Sequence, residues 1–220
     1  MADEMLKSHY LVLAGSHLYG LDSPTSDRDI RGISIPTKKE FYDLFRDKDH
    51  STEVDRTKKV DTVIYDLRFY LKLLSKGDIG TTEILFAPEA NILQSSWMIK
   101  PLLNEKQLFL NRKFISKLES CAISHNIQAT GESFNAKQAA HSLRCLAEIE
   151  LIMTSGSLYF PNPRNAEIAA IKFGSVDQRG YEELYTELRE RTRLLIKTRR
   201  LREDVSENMV NEIFAKVMRL

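Results

Sequence analysis

Gly15-Ser16, followed eleven positions later by Asp27-Arg28-Asp29, brings two small residues and two carboxylates into the order that a metal-bound nucleotide requires. Leu11-Val12-Leu13 is a short apolar run suited to a buried strand. Gly15-Ser16 ends it with residues small enough for backbone N–H groups to approach a phosphate closely. Leu21 to Ser26 is loop chemistry, and Asp27 to Ile35 then alternates as a strand, with Asp27, Asp29 and Arg31 on one face and Arg28 and Ile30 on the other. Neighbouring carboxylates repel strongly away from bulk water, and a bridging divalent cation is the usual reason for keeping both charged. Magnesium suits such a place because it seeks hard oxygens and is often held by one or two carboxylates plus substrate phosphates.

A third acid completes the set. Val60 to Tyr65 is rich in β-branched residues and alternates, which puts Asp61, Val63 and Tyr65 on one strand face and leaves Asp66 to cap the helix that follows. Asp61 is therefore read as chemistry and Asp66 as a cap; the alternative for Asp61 is an ordinary edge-strand acid.

Gly15-Ser16, Asp27-x-Asp29 and the separate strand acid Asp61, in this order, resemble the signature of the DNA polymerase β-like nucleotidyltransferase superfamily. Ser23-x-x-Ser26-Asp27-x-Asp29-x-Arg31-Gly32, Asp61 to Arg68, Glu83-Ile84-Leu85-Phe86 and Lys137-x-x-x-His141-x-x-Arg144 are similar to a bacterial and phage branch of it linked with RNA repair. The resemblance extends over most of the chain. It departs from the pattern at Arg28, where the superfamily is usually apolar, and at Lys76-Gly77-Asp78-Ile79, where an Asn-Pro turn is expected.

The resemblance implies that Asp27, Asp29 and Asp61 are catalytic and hold Mg2+, with Mn2+ as a substitute. Gly15, Ser16, Ser26, Arg31, Lys137, His141 and Arg144 would then contact the nucleotide. The substrate implied is an NTP such as ATP, and the acceptor a hydroxyl, foremost an RNA (including tRNA) 3' end. Other acceptors in the superfamily are a protein side chain or a small molecule. A reading of a different class is a nucleotide- or RNA-binding module that has lost turnover, against which the three retained like charges speak.

A chain of 220 residues, 42% of them hydrophobic, holds enough apolar material for a sizeable core in one or two domains. Its 32 basic and 31 acidic residues nearly cancel, so any polyanion surface must be local. Cys121 and Cys145 lack metal-type spacing and read as free thiols. Acids near the N-terminus and the lack of an apolar run of bilayer length point to a cytoplasmic protein with no membrane partner.

Strand-like segments at Met5 to Ala14, Asp27 to Ile35 and Lys59 to Tyr65 alternate with helical spacing at Lys38 to Phe45 and Asp66 to Leu74. The polar stretch from Arg46 to Lys58 reads as an exposed connection able to fold over substrate. From Ser95 onward the pattern is helical, at Phe114 to Ile127, Ala136 to Thr154, Asn165 to Phe173 and Gly180 to Leu201. The expected fold is therefore α+β: an N-terminal nucleotidyltransferase mixed sheet with flanking helices over residues 1–94, then a helical nucleotide- and acceptor-binding domain over 95–220.

In that half Lys137, His141 and Arg144 share one helix face, able to grip a nucleotide or to be a solvated face with a structural histidine. A basic run from Arg189 to Arg202, including Arg193, Lys197, Arg199 and Arg200, is the best candidate RNA footprint. Arg164, after the Pro161-x-Pro163 turn, is a further candidate. The competing reading of the run is a charged helix packed through Leu184, Leu188, Leu194 and Leu195.

Overall fold

The computed structural model describes residues 8–43, 49–55, 57 and 59–219. The chain is α+β, with one mixed sheet in its first half and helices throughout its second. Two compact units are present: residues 1–109 with 205–220, and residues 110–204.

The first unit is built on strands β1 (Tyr10–Leu13), β2 (Arg28–Ser34), β3 (His50–Asp55), β4 (Val60–Asp66) and β5 (Ile92–Ser95), in spatial order β3-β4-β2-β1-β5. β2 and β4 run parallel, and the other pairs are antiparallel. Alternation sends Ile30, Ile64 and Leu11 to one face, where they pack together with Val60. Gly32 lies in this face because a Cβ there would meet Leu11 Cδ2 at 2.5 Å and the Tyr10 carbonyl at 2.8 Å.

The opposite face carries Tyr10, Ile33 and Tyr65 toward helices α3 (Leu67–Ser75) and α4 (Ile79–Ile84). The Tyr10 hydroxyl donates to the Ile84 carbonyl at 3.1 Å, and the Tyr65 ring lies 5.9 Å from that of Tyr70. Asp66 caps α3 as its sequence position predicts, its carboxylate accepting from the Arg68 amide at 2.9 Å. Two short helices, α1 (Gly15–Tyr19) and α2 (Lys38–Phe41), precede these. After β5 come α5 (Lys100–Asn104) and, at the chain's end, α10 (Glu207–Met218), whose Phe214 ring sits 5.8 Å from Phe41.

The polar stretch after α2 differs from expectation. Residues 50–55 form β3, paired with β4 from His50↔Tyr65 to Asp55↔Val60, because its half-buried positions alternate even though its side chains are largely polar. Residues 46–48, 56 and 58 of that stretch lie outside the described residues, as do residues 44–45 of the expected helix before it and residues 5–7 of the expected first strand.

The second unit comprises α6 (Arg112–Ala129), α7 (Ala136–Ser155), α8 (Asn165–Lys172) and α9 (Gln178–Thr198). α7 is its centre, buried along most of its length from Ala139 to Met153. Gly156, at φ 73°, ends it in the left-handed conformation. α9 packs through Tyr181, Tyr185, Leu188 and Thr192, whereas Leu194 is exposed, so its buried stripe is more aromatic than the leucine spacing suggests. Among the described residues no helix is long and apolar enough to cross a membrane.

Candidate active site

Asp29 and Asp61 are register partners across the parallel β2–β4 pair, so strand alternation places both carboxylates on one sheet face. β4 lies between β2 and β3, which removes the edge-strand reading of Asp61. Arg31, two residues along β2 on the same face, ties them together. Its Nη2 donates to Asp61 Oδ2 at 3.0 Å and to Asp29 Oδ1 at 3.3 Å, and its Nη1 to the Asp61 carbonyl at 3.1 Å. The guanidinium offsets the repulsion between two acids that are each about a third exposed. Asp61 Oδ1 is buried with no hydrogen-bond partner.

The glycine turn is fitted against this pair. Gly15 takes φ +60°, and a Cβ there would fall 2.0 Å from Asp29 Oδ2, so both backbone conformation and space demand glycine. The Ala14 amide donates to the Asp29 carbonyl at 2.7 Å, which extends the β1–β2 pairing up to the turn. Ser16 lies in the first turn of α1, whose N-cap residue Ala14 offers no side-chain cap. At the other end of α1, Tyr19 donates its hydroxyl to Glu83 Oε2 at 2.5 Å, and Glu83 is almost wholly buried in α4. Sequence reasoning gave Glu83 no role. An acid directly before the apolar Ile84-Leu85-Phe86 was the available signal of a buried, partnered carboxyl.

Asp27, the third acid of the expected cluster, lies immediately before β2. It is exposed and precedes the first paired residue of β2, so no ladder fixes its side chain. Among the described residues, no group of three His, Cys, Asp or Glu side chains is arranged to hold a metal ion by itself. Arg28 between the acids is exposed, while Ile30 beyond it is buried, so the far face of β2 becomes apolar one step later than the family pattern. Ser26 is engaged in its own turn: its Oγ accepts from the Ser23 amide at 2.9 Å and its amide donates to the Ser23 carbonyl at 2.9 Å.

In the second unit, Lys137 is exposed on α7 and His141 is half-buried, its ring stacked 5.3 Å from His125 of α6. Burial pushes the His141 imidazole down to about 4, and the positive charges of Arg144, His125, Lys137 and Lys172 add to this. At neutral pH it is therefore a hydrogen-bonding group without charge. Arg144 is buried and donates to Glu148 Oε1 at 2.5 Å, so the third member of the stripe turns into the helix bundle.

Arg164 also departs from its expected role. Its guanidinium donates to Glu150 at 2.7 Å, Glu167 at 2.8 Å and Glu187 at 3.2 Å, which makes it a structural junction of α7, α8 and α9 instead of a phosphate hook. Arg199 caps the end of α7, donating to the Met153 carbonyl at 2.9 Å. Arg193, Lys197 and Arg200 are exposed. Arg199, Arg200 and Arg202 form one wall of a groove of about 710 Å3 whose other wall is Met153 to Gly156.

The sequence profile of the RlaP family, the RNA repair pathway DNA polymerase beta family, matches residues 2–216. The chain belongs to that family. A 98-residue stretch is also 29% identical to an uncharacterized 38.9 kDa protein of Enterobacteria phage T4 encoded in the nrdC–mobD intergenic region. That match covers 41% of this chain and only 28% of the phage protein. The family's description links it with RNA repair and with the DNA polymerase β family. It also gives the β2–β4 acid pair and the Gly15 turn a chemical context.

Proposed function

We propose that this RlaP-family chain moves a nucleoside monophosphate from an NTP to the 3' hydroxyl of an RNA, releasing pyrophosphate with the aid of magnesium. The observation that carries the reading is the facing pair Asp29 and Asp61, with Gly15 flush against Asp29 and Asp61 Oδ1 buried without a donor. A buried carboxylate oxygen left without a partner costs about 1–3 kcal/mol or more, which a hard cation offsets. Two carboxylates suffice for magnesium when substrate phosphates complete its shell, so the donor set fits the ion although no three-acid cage is preformed among the described residues.

Asp29 and Asp61 would hold the metal, with Asp27 as a further donor from the mouth of β2; manganese would use the same oxygens. When bound, the metal supplies Lewis-acid stabilisation of the leaving pyrophosphate and makes the attacking hydroxyl more acidic. Gly15 and Ser16 admit the β and γ phosphates to close backbone approach. Arg31 fixes the two carboxylates in their mutual orientation and balances charge that builds during transfer. Asp61 is the acid assigned to receive the proton of the attacking hydroxyl. Lys137 offers charge to a phosphate, and the neutral His141 offers a hydrogen bond to a base or sugar. Arg193, Lys197 and Arg200 supply sequence-independent RNA phosphate contacts.

Incubating the pure protein with α-labelled NTPs, magnesium and an RNA pool tests this. Label at an RNA 3' end in the wild type, lost in Asp29→Asn, supports the proposal. Label on a protein side chain moves the acceptor to protein, and no incorporation in either form refutes nucleotidyl transfer.

A further inference from the structure

Cys121 of α6 and Cys145 of α7 are the chain's two cysteines, and neither belongs to the site described above. α6 and α7 pack as an antiparallel hairpin whose register is pinned around the thiols. Toward the turn, the His125 ring stacks on His141 and His125 Nδ1 shares a hydrogen bond with Gln138 Oε1 at 2.5 Å. One residue from Cys121, the Ala122 carbonyl accepts from Ser142 Oγ at 2.8 Å. This register sets Cys121 opposite Cys145, within interaction range of each other across the hairpin. Cys145 is fully buried, whereas Cys121 is partly exposed.

We propose that Cys121 and Cys145 are a peroxide-responsive thiol pair that closes reversibly into an intramolecular disulfide, with Cys121 attacking and Cys145 resolving. The Cys121 thiolate attacks one oxygen of the peroxide, the O–O bond breaks, and hydroxide leaves to become water on protonation, giving a sulfenic acid. The Cys145 sulfur then attacks that sulfur, the S–O bond breaks, and a second water departs with the Cys145 proton. Two thiols are oxidised and one peroxide is reduced to two waters.

The division of labour follows from the surroundings. The neighbouring Cys145 thiol holds the Cys121 thiol down at about 6 against the opposing effect of burial, and the fields of His125 and Arg144 act in the same direction. The Cys121 thiol, burial and the neighbouring Glu148 hold Cys145 well above the usual thiol range. The exposed sulfur is thus the thiolate, and the buried one is a protonated resolving partner shielded from direct oxidation. Disulfide closure needs sulfurs about 2.05 Å apart across a short Cβ separation, and cysteines facing each other on adjacent turns of one helix hairpin approach this by side-chain rotation.

The test treats the full chain with graded hydrogen peroxide at neutral pH, then reads intact mass, thiol count and a non-reducing peptide map. The expected result is loss of two hydrogens, disappearance of both thiols together, a linked Cys121–Cys145 peptide, and full reversal by dithiothreitol. Cys145→Ala should instead accumulate a dimedone-trappable sulfenic acid on Cys121, and the remaining thiol of Cys121→Ser should react at least about tenfold more slowly. Sulfinic acid on Cys121 of the wild type with Cys145 intact, a crosslink between copies, equal reactivity of the two variants, or stoichiometric zinc held by the thiols would each overturn the proposal.

Discussion

Gly15→Ala probes the site at its tightest contact. The added Cβ would lie 2.0 Å from Asp29 Oδ2, so the carboxylate must retreat by about 1.4 Å to reach ordinary van der Waals distance. The left-handed backbone adds about 1–2 kcal/mol of strain for any L side chain. Gly156→Ala is the matched control: its φ is +73°, yet nothing lies within 4 Å of the new Cβ. Both variants should therefore lose about 1–2 kcal/mol, a fall of about 2–8 °C in thermal midpoint for a chain of this size. Only Gly15→Ala displaces an acid of the proposed site. A misplacement of about 1 Å costs about 100-fold in rate, and nucleotidyl transfer by Gly15→Ala should fall by that order while Gly156→Ala stays near wild type. Thermal unfolding and initial rates with labelled NTP give the two readouts. Full transfer by Gly15→Ala, or equal loss of transfer in both variants, would refute the reasoning.

Arg31→Met leaves Asp29 and Asp61 facing each other without their bridging cation; we expect a loss of about 1–2 kcal/mol, regained when magnesium is added during thermal unfolding. His141 binds its proton less readily in the folded chain, at about 4, than in the unfolded one, at 6.5. Between these values the unfolded state carries more protons, so its contribution to stability is intact above pH 6.5 and is lost as the pH falls toward 4. Discounted for partial exposure, this amounts to about 1–2 kcal/mol, and His141→Gln should flatten that part of a stability-against-pH curve. Arg164→Ala, which unties Glu150, Glu167 and Glu187, should cost about 1–3 kcal/mol in denaturant titrations and leave the salt dependence of RNA binding unchanged. Lys197→Ala should do the reverse, lowering the slope of log affinity against log salt by about one.

The Asp29–Asp61 pairing was legible because strand alternation has a fixed period of two, so an acid on each of two neighbouring strands has only two faces to choose from. The cap at Asp66 and the long helices α6, α7 and α9 were legible for the same kind of local reason. β3 was hidden because Glu53 and Asp55 make it look like solvated loop, and β5 because four residues at a sheet edge carry almost no periodic signal. The fates of Arg144 and Arg164 were not legible at all. Glu148 sits one turn from Arg144, a spacing common on solvated faces, and Glu187 reaches Arg164 from another helix. Only the tertiary packing decides whether such an arginine meets a protein carboxylate or a phosphate.

Manganese binding measured by electron paramagnetic resonance, with and without ATP, bears most directly on the acid pair. The wild type should take up Mn2+ far more tightly in the presence of ATP, and Asp29→Asn and Asp61→Asn should each weaken that uptake by at least about tenfold, roughly 1.4 kcal/mol. Equal Mn2+–ATP affinity in the wild type and both variants would contradict a metal–nucleotide site at Asp29 and Asp61.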